Sequence, residues 1–163
     1  MKRYEAHWST TLITVSLLVT ILCLGITFGL WPLLLKGRVP PAISWTGLLP
    51  VVLLFGCALF TIRGYTVTPD AILVHRLFWA TRVPRAGLQS ARVEPDAMRW
   101  SIRTFGNGGL FSFSGYYRNK ALGAYRAFVT DRHRTVVLRY SDRTVVISPG
   151  QPEAFIEELG VKN

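Results

Sequence analysis

Two uncharged apolar runs near the N-terminus constrain this chain more than anything else in it. Residues 9–35 contain no Asp, Glu, Lys or Arg, and neither do residues 42–62. A helix needs about 20 apolar residues to cross a bilayer, so each run is long enough. Trp8 and Trp31 flank the first run and Trp45 stands near the start of the second, where interfacial aromatics commonly sit. Neither run has a polar face, which argues against a buried hairpin of a soluble protein. The first run is too long for a cleaved signal sequence, and no Ala-x-Ala site follows it. The expectation is a transmembrane helical hairpin over residues 1–62, with spans at about 10–35 and 43–62. A polar leader, residues 1–8, precedes it, and a short turn at residues 36–42 joins the spans. Pro50 should kink the second helix or mark a packing site. Both chain ends then lie on one side. That side carries Lys2, Arg3, Arg63, Arg76 and Arg82 against Lys36 and Arg38 in the turn, so the positive-inside rule places both termini and everything after residue 62 in the cytoplasm.

Beyond residue 62 the chain changes character. Residues 63–163 hold fifteen of the nineteen basic residues and eight of the nine acids, a formal charge of +7. Such an excess suits phosphate-rich partners or a solvated surface. Strand-like segments are expected at 65–68, 72–79, 81–84, 88–93, 110–117, 122–130, 135–140 and 144–148, rich in β-branched and aromatic residues and separated by turn residues. The last two form a hairpin closed at Ser141 and Asp142. A two-residue turn pairs Leu138 with Val145 and Val136 with Ile147, and places all four on one face. Extending that register across residues 131–134 adds Val129, Ala127 and Tyr125 to the same face. A final helix starts at Pro152, carries Phe155 and Leu159 one turn apart, and stops at Gly160.

Several strands before a single C-terminal helix is the element order of a pleckstrin-homology (PH) fold. Gly64-Tyr-Thr-Val-Thr-Pro-Asp-Ala-Ile-Leu-Val and Arg82-Val-Pro-Arg-Ala-Gly-Leu resemble the opening of bacterial PH-domain proteins, in which a hydrophobic-Pro pair ends the third strand. Phe105-Gly-Asn-Gly-Gly-Leu-Phe-Ser-Phe-Ser-Gly-Tyr-Tyr-Arg-Asn, Thr144-Val-Val-Ile-Ser-Pro and Pro152-Glu-Ala-Phe-Ile-Glu-Glu-Leu are similar to a membrane-anchored subgroup of that family. The sequence departs from the pattern at Gly150 and Gln151, where acidic capping residues are usual. The resemblance covers residues 64–160. It implies a membrane-anchored α+β protein of the bacterial plasma membrane, whose domain at residues 63–163 is a bent, seven-stranded β-sandwich capped by its helix. It implies no firm activity, since many bacterial members serve oligomerisation or protein contacts.

A catalytic or metal site needs converging side chains. His7, His75 and His133 are scattered, and none has ligand spacing to another His or Cys. Cys23 and Cys57 lie in the apolar runs at depths about 9 Å apart along antiparallel helices, too far for a disulfide. Gly106-Asn-Gly-Gly lacks the Lys-Ser/Thr of a phosphate-binding loop and reads as a strand-entry loop. No enzyme, metal or cofactor is expected. What remains is a basic, aromatic stretch with Arg99, Arg103, Arg118, Lys120 and Arg126 among Phe111, Phe113, Tyr116 and Tyr117. With Arg63 at the end of the second span, these are the candidate contacts with the membrane surface or a partner. The expected function is a non-enzymatic binding or scaffolding module at the inner membrane surface. Anionic lipid headgroups, a protein partner or a second copy of the chain are the partners to test, and the PH resemblance disfavours nucleic acid.

Overall fold

The computed structural model describes residues 2–36 and 45–161. The apolar run at the start forms one long helix, α1 (Thr10–Leu35). Ser9 caps it, its Oγ accepting the Leu12 amide at 3.3 Å, the usual role of a serine at that position. A 3-10 turn (Trp45–Leu48) leads into α2 (Leu49–Leu59), with Pro50 in its first turn. Pro50 therefore starts the α-helix instead of kinking it, because its missing N–H has no intrahelical partner there. Thr27 Oγ1 donates to the Gly47 carbonyl at 3.3 Å and ties the two helices together. α1 is long and apolar enough to cross a membrane, and only 17% of its apolar window is buried. The second span expected at 43–62 is shorter in the structure. Its helical part ends at Leu59, and Phe60, Thr61 and Ile62 already turn toward the domain. At the helical rise, α2 is about 16 Å long. The turn expected at 36–42 lies, Lys36 apart, outside the described residues.

Two sheets follow. The first has the order β1 (Arg3–Glu5), β2 (Gly64–Val67), β3 (Ala71–His75), β4 (Ala80–Pro84). The second runs β5 (Leu88–Val93), β9 (Val136–Tyr140), β10 (Thr144–Ile147), β8 (Gly123–Val129), β7 (Phe113–Asn119), β6 (Ile102–Gly108). The helix α3 (Pro152–Leu159) closes the sandwich and ends at Gly160 in the left-handed conformation, as a helix-terminating glycine does. The chain thus has a PH-like two-sheet sandwich with a C-terminal helix, though the described residues of the domain form nine strands where seven were expected, and β1 of the leader adds a tenth. β4, the third strand after residue 62, ends at Val83-Pro84.

The expected hairpin is present with its expected register, Leu138 opposite Val145 and Val136 opposite Ile147. These four pack with Tyr65, Ile72, Val74, Phe128 and Phe155 in the main core between the sheets. The extension to β8 is corrected. β8 does not pair with β9; it lies on the far side of β10 and runs parallel to it, with Ala127 opposite Val146. Tyr125, Ala127 and Val129 therefore share a face with Val137 and Val146, in a second core covered by Met98 and Leu122. A one-residue change of register exchanges the faces of a strand. β6 was not expected. Residues 102–108 carry two glycines and an asparagine, yet they pair along β7.

The leader is also more than a polar tail. β1 pairs antiparallel with β2, Tyr4 opposite Tyr65. Tyr4 is buried against the Phe155 ring, 5.2 Å between centroids, and its hydroxyl donates to Glu158 Oε2 at 2.6 Å. A Cβ at Gly64 would stand 2.6 Å from the Tyr4 carbonyl oxygen, and one at Gly150 would stand 3.0 Å from that of Glu5. Those two glycines let the leader lie down on the sandwich. Gly150 and Gln151, the departure from the family pattern, sit where the leader crosses, with the Gly150 amide donating to the Glu5 carbonyl at 2.9 Å.

Candidate functional site

The site is built where the two apolar helices meet the sandwich. A set of hydrogen bonds fastens them. The Trp8 indole donates to the Ile62 carbonyl at 3.4 Å, linking the foot of α1 to the chain leaving α2. Thr130 Oγ1 donates to the His7 carbonyl at 2.7 Å. At the end of α2 the Phe60 carbonyl accepts from Arg76 Nη1 at 2.7 Å and from Ser112 Oγ at 3.1 Å. In the β6–β7 turn, the Phe111 amide donates to Ser16 Oγ at 2.9 Å, more than a turn into α1. His7 adds an ion-pair geometry to buried Asp131 at 3.3 Å.

Arg76 is the centre of this junction. It is 7% exposed, and its Nε and Nη2 donate to Thr81 Oγ1 at 3.0 Å and Ser114 Oγ at 2.9 Å. A cation on the last carbonyls of a helix opposes the negative end of its dipole. Burial pulls the Arg76 pKa down to about 10, repulsion from Arg126 adds to that, and Tyr65 opposes it. Arg76 was expected only as a flanking charge. Its place in a turn right after β3, where the amide of Arg76 binds the Trp79 carbonyl at 2.7 Å, is visible only once the strand is seen to end at His75.

Around the junction the surface is apolar. Phe78 is 75% exposed beside Leu77 and Trp79 in the β3–β4 turn, and Trp79 meets the Phe60 ring edge-on at 5.5 Å. Phe105 on β6 is 75% exposed as well. β6 and β7 approach closely at Gly106 and Gly115. Both have positive φ, and a Cβ on either would fall within 2.4 Å of the opposing strand's backbone, so side chains are excluded there.

The structure divides the six candidate basic residues. Arg63 is exposed where the chain leaves α2. Arg103 Nη1 folds back on β6 to the Gly106 carbonyl at 3.1 Å. Arg126 lies over the Phe128 ring at 4.8 Å and the Tyr116 ring at 5.7 Å. Arg99, Arg118 and Lys120 gather instead at the other end of the β6–β7 ladder, in an open groove of about 810 Å³ with Trp100 and Ile102. Arg103 pairs with Tyr117 and Arg126 with Tyr116, one and two residues from Arg118, so the direction each side chain takes, not its place on the strand, divides the two groups.

The family comparison agrees with this architecture: the model of the bacterial PH domain matches residues 63–163. The chain belongs to the bacterial PH-domain family. No curated protein and no solved structure matches it. PH domains are generally non-catalytic binding modules, and among the described residues no group of three or more His, Cys, Asp or Glu could hold a metal. The matched region begins at Arg63, yet the PH sandwich of this chain recruits β1 from the other side of the apolar helices.

Proposed function

We propose that this protein is a non-enzymatic, membrane-anchored binding or scaffolding module. Its two apolar helices form a hairpin in the bacterial plasma membrane, and its PH domain and both termini are cytoplasmic. The observation that carries this reading is the fastening of the sandwich to both helices. α1 exposes Ile13, Leu17, Leu18, Ile21, Leu22 and Phe28, an apolar surface that needs lipid or protein around it. The domain is then held on the bilayer with Phe78, Trp79 and Phe105 toward the headgroups. Arg63, Arg103 and Arg126 lie on that side and meet the anionic surface, each basic residue contributing about 1 kcal/mol when close to it. Arg99, Arg118 and Lys120, at the far end of the ladder, face a protein partner.

Two measurements on the full chain test the reading. It should stay in the membrane pellet after alkaline carbonate extraction. In a background free of Cys23 and Cys57, an impermeant thiol reagent added to intact cells should label Gly37→Cys and not Asn163→Cys. The reverse pattern would overturn the orientation.

A further inference from the structure

Arg76 is a buried cation with no counter-ion among the described residues. None of the ion pairs among the described residues includes it or Arg126. A guanidinium has five N–H donors, and Arg76 uses three of them, to Thr81, Phe60 and Ser114. One N–H on each terminal nitrogen has no acceptor among the described residues. The Phe60 and Phe128 rings lie 5.3 and 5.5 Å from its carbon. Arg126 shares the Phe128 ring and repels Arg76. Two cations against one apolar wall raise each other's energy, and desolvated charges are stabilised by an opposite charge with good hydrogen bonds.

Both arginines open onto a cleft of about 460 Å³ between α2 and the β6–β8 face. One wall is Val52, Leu53 and Gly56 of α2; Phe105, Tyr116 and Phe128 stand opposite. A Cβ at Gly56 would meet nothing within 4 Å, so this wall is open. It continues into the exposed apolar side of α2, including Leu49, Val52 and Leu53.

We propose that the cleft holds one anionic phospholipid, its phosphate between Arg76 and Arg126 and an acyl chain along Val52, Leu53 and Gly56. The proposal rests on α1 and α2 lying in the bilayer. A freely soluble anion would satisfy the arginines and leave the helix wall uncovered; a lipid covers both. The recognition is of net anionic charge and a chain, through two arginines suited to bidentate phosphate contacts.

The test is native mass spectrometry of the full chain released from nanodiscs of equimolar phosphatidylglycerol and phosphatidylcholine. One phosphatidylglycerol should remain per chain in preference to phosphatidylcholine. Arg126→Ala, at an exposed position, should lower that occupancy about tenfold. Gly56→Leu keeps both arginines, fills the cleft and should lower it comparably; thermal melting in lipid-free detergent checks that both variants stay folded. Equal retention of the two lipids, wild-type retention by both folded variants, or equally tight binding of inorganic phosphate alone would overturn the lipid site while leaving the anchor standing. Release of the chain by alkaline carbonate would overturn the anchor and the site together.

Discussion

The two ends of the β6–β7 ladder use arginine in opposite ways. At the turn end, Arg76 is buried, donates three hydrogen bonds and closes a helix terminus, with Arg126 beside it on an apolar cleft. At the other end, Arg99, Arg118 and Lys120 line an open groove beside Trp100, which is 83% exposed. In the sequence the basic residues of this stretch form one cluster. Arg103, Arg118 and Arg126 stay within a few residues of one another on β6–β8, and the direction of each side chain gives the two ends different chemistry. A basic stretch in a β-rich sequence therefore need not make one surface.

Both ends hang from the central hairpin, so the largest effect should be common to them. Leu138 is fully buried in the main core, and Leu138→Ala should cost about 2–5 kcal/mol, measured as the denaturant midpoint of the full chain in detergent. An unchanged midpoint would remove Leu138 from the core. The next effect separates the ends. Arg76→Met leaves the Ser114 and Thr81 hydroxyls and the Phe60 carbonyl with fewer partners, and should cost roughly 2–4 kcal/mol. A cost no greater than at Arg118 would erase the difference between the two ends.

A smaller, pH-dependent effect belongs to the leader on the turn side. Glu158 lies below its ordinary carboxyl value of 4.5, chiefly because Tyr4 donates to it, with burial opposing. His75 lies below its ordinary 6.5 through burial and the nearby Arg3 charge. In both cases the folded state binds protons less readily than the unfolded one. The stability is present above the ordinary value and is lost as pH falls through the folded value. Amide exchange of β1, corrected for intrinsic rate, should accelerate relative to β9 as the pH drops from about 7 to about 4. If β1 and β9 respond alike, the leader is not held by these groups. The smallest effect lies at the far end: Arg118→Glu with Lys120→Glu should change stability by no more than about 0.5 kcal/mol, read from the same denaturation curve.

Much of the sandwich was legible in the sequence. Alternating apolar residues and the turn at Ser141 and Asp142 specify the β9–β10 register, and Pro152 with Gly160 brackets the last helix. The position of β8 was not, because the parallel pairing of β8 with β10 leaves no local turn signal, and Phe128 and Ala127 are both apolar, so the strand reads equally well on either face. β6 was hidden by its glycines, which favour loops in general but here permit close strand approach. The leader's strand is three residues long, too short for periodicity; the glycines at 64 and 150 are its only trace. Of the site, Arg126 was named among the basic residues, Arg76 was read only as a flanking charge, and the direction each side chain takes required the strand register.

The central claim is that the turn end of the sandwich lies at the bilayer and the far end lies in water. Spin labels placed singly at positions 78, 105 and 100 of the full chain in phosphatidylglycerol nanodiscs measure this directly. Phe78→Cys and Phe105→Cys labels should be relaxed by oxygen dissolved in lipid, and the Trp100→Cys label by an aqueous nickel chelate. A label at position 100 as deep as those at 78 and 105, or labels at all three positions relaxed only by the chelate, would contradict the orientation.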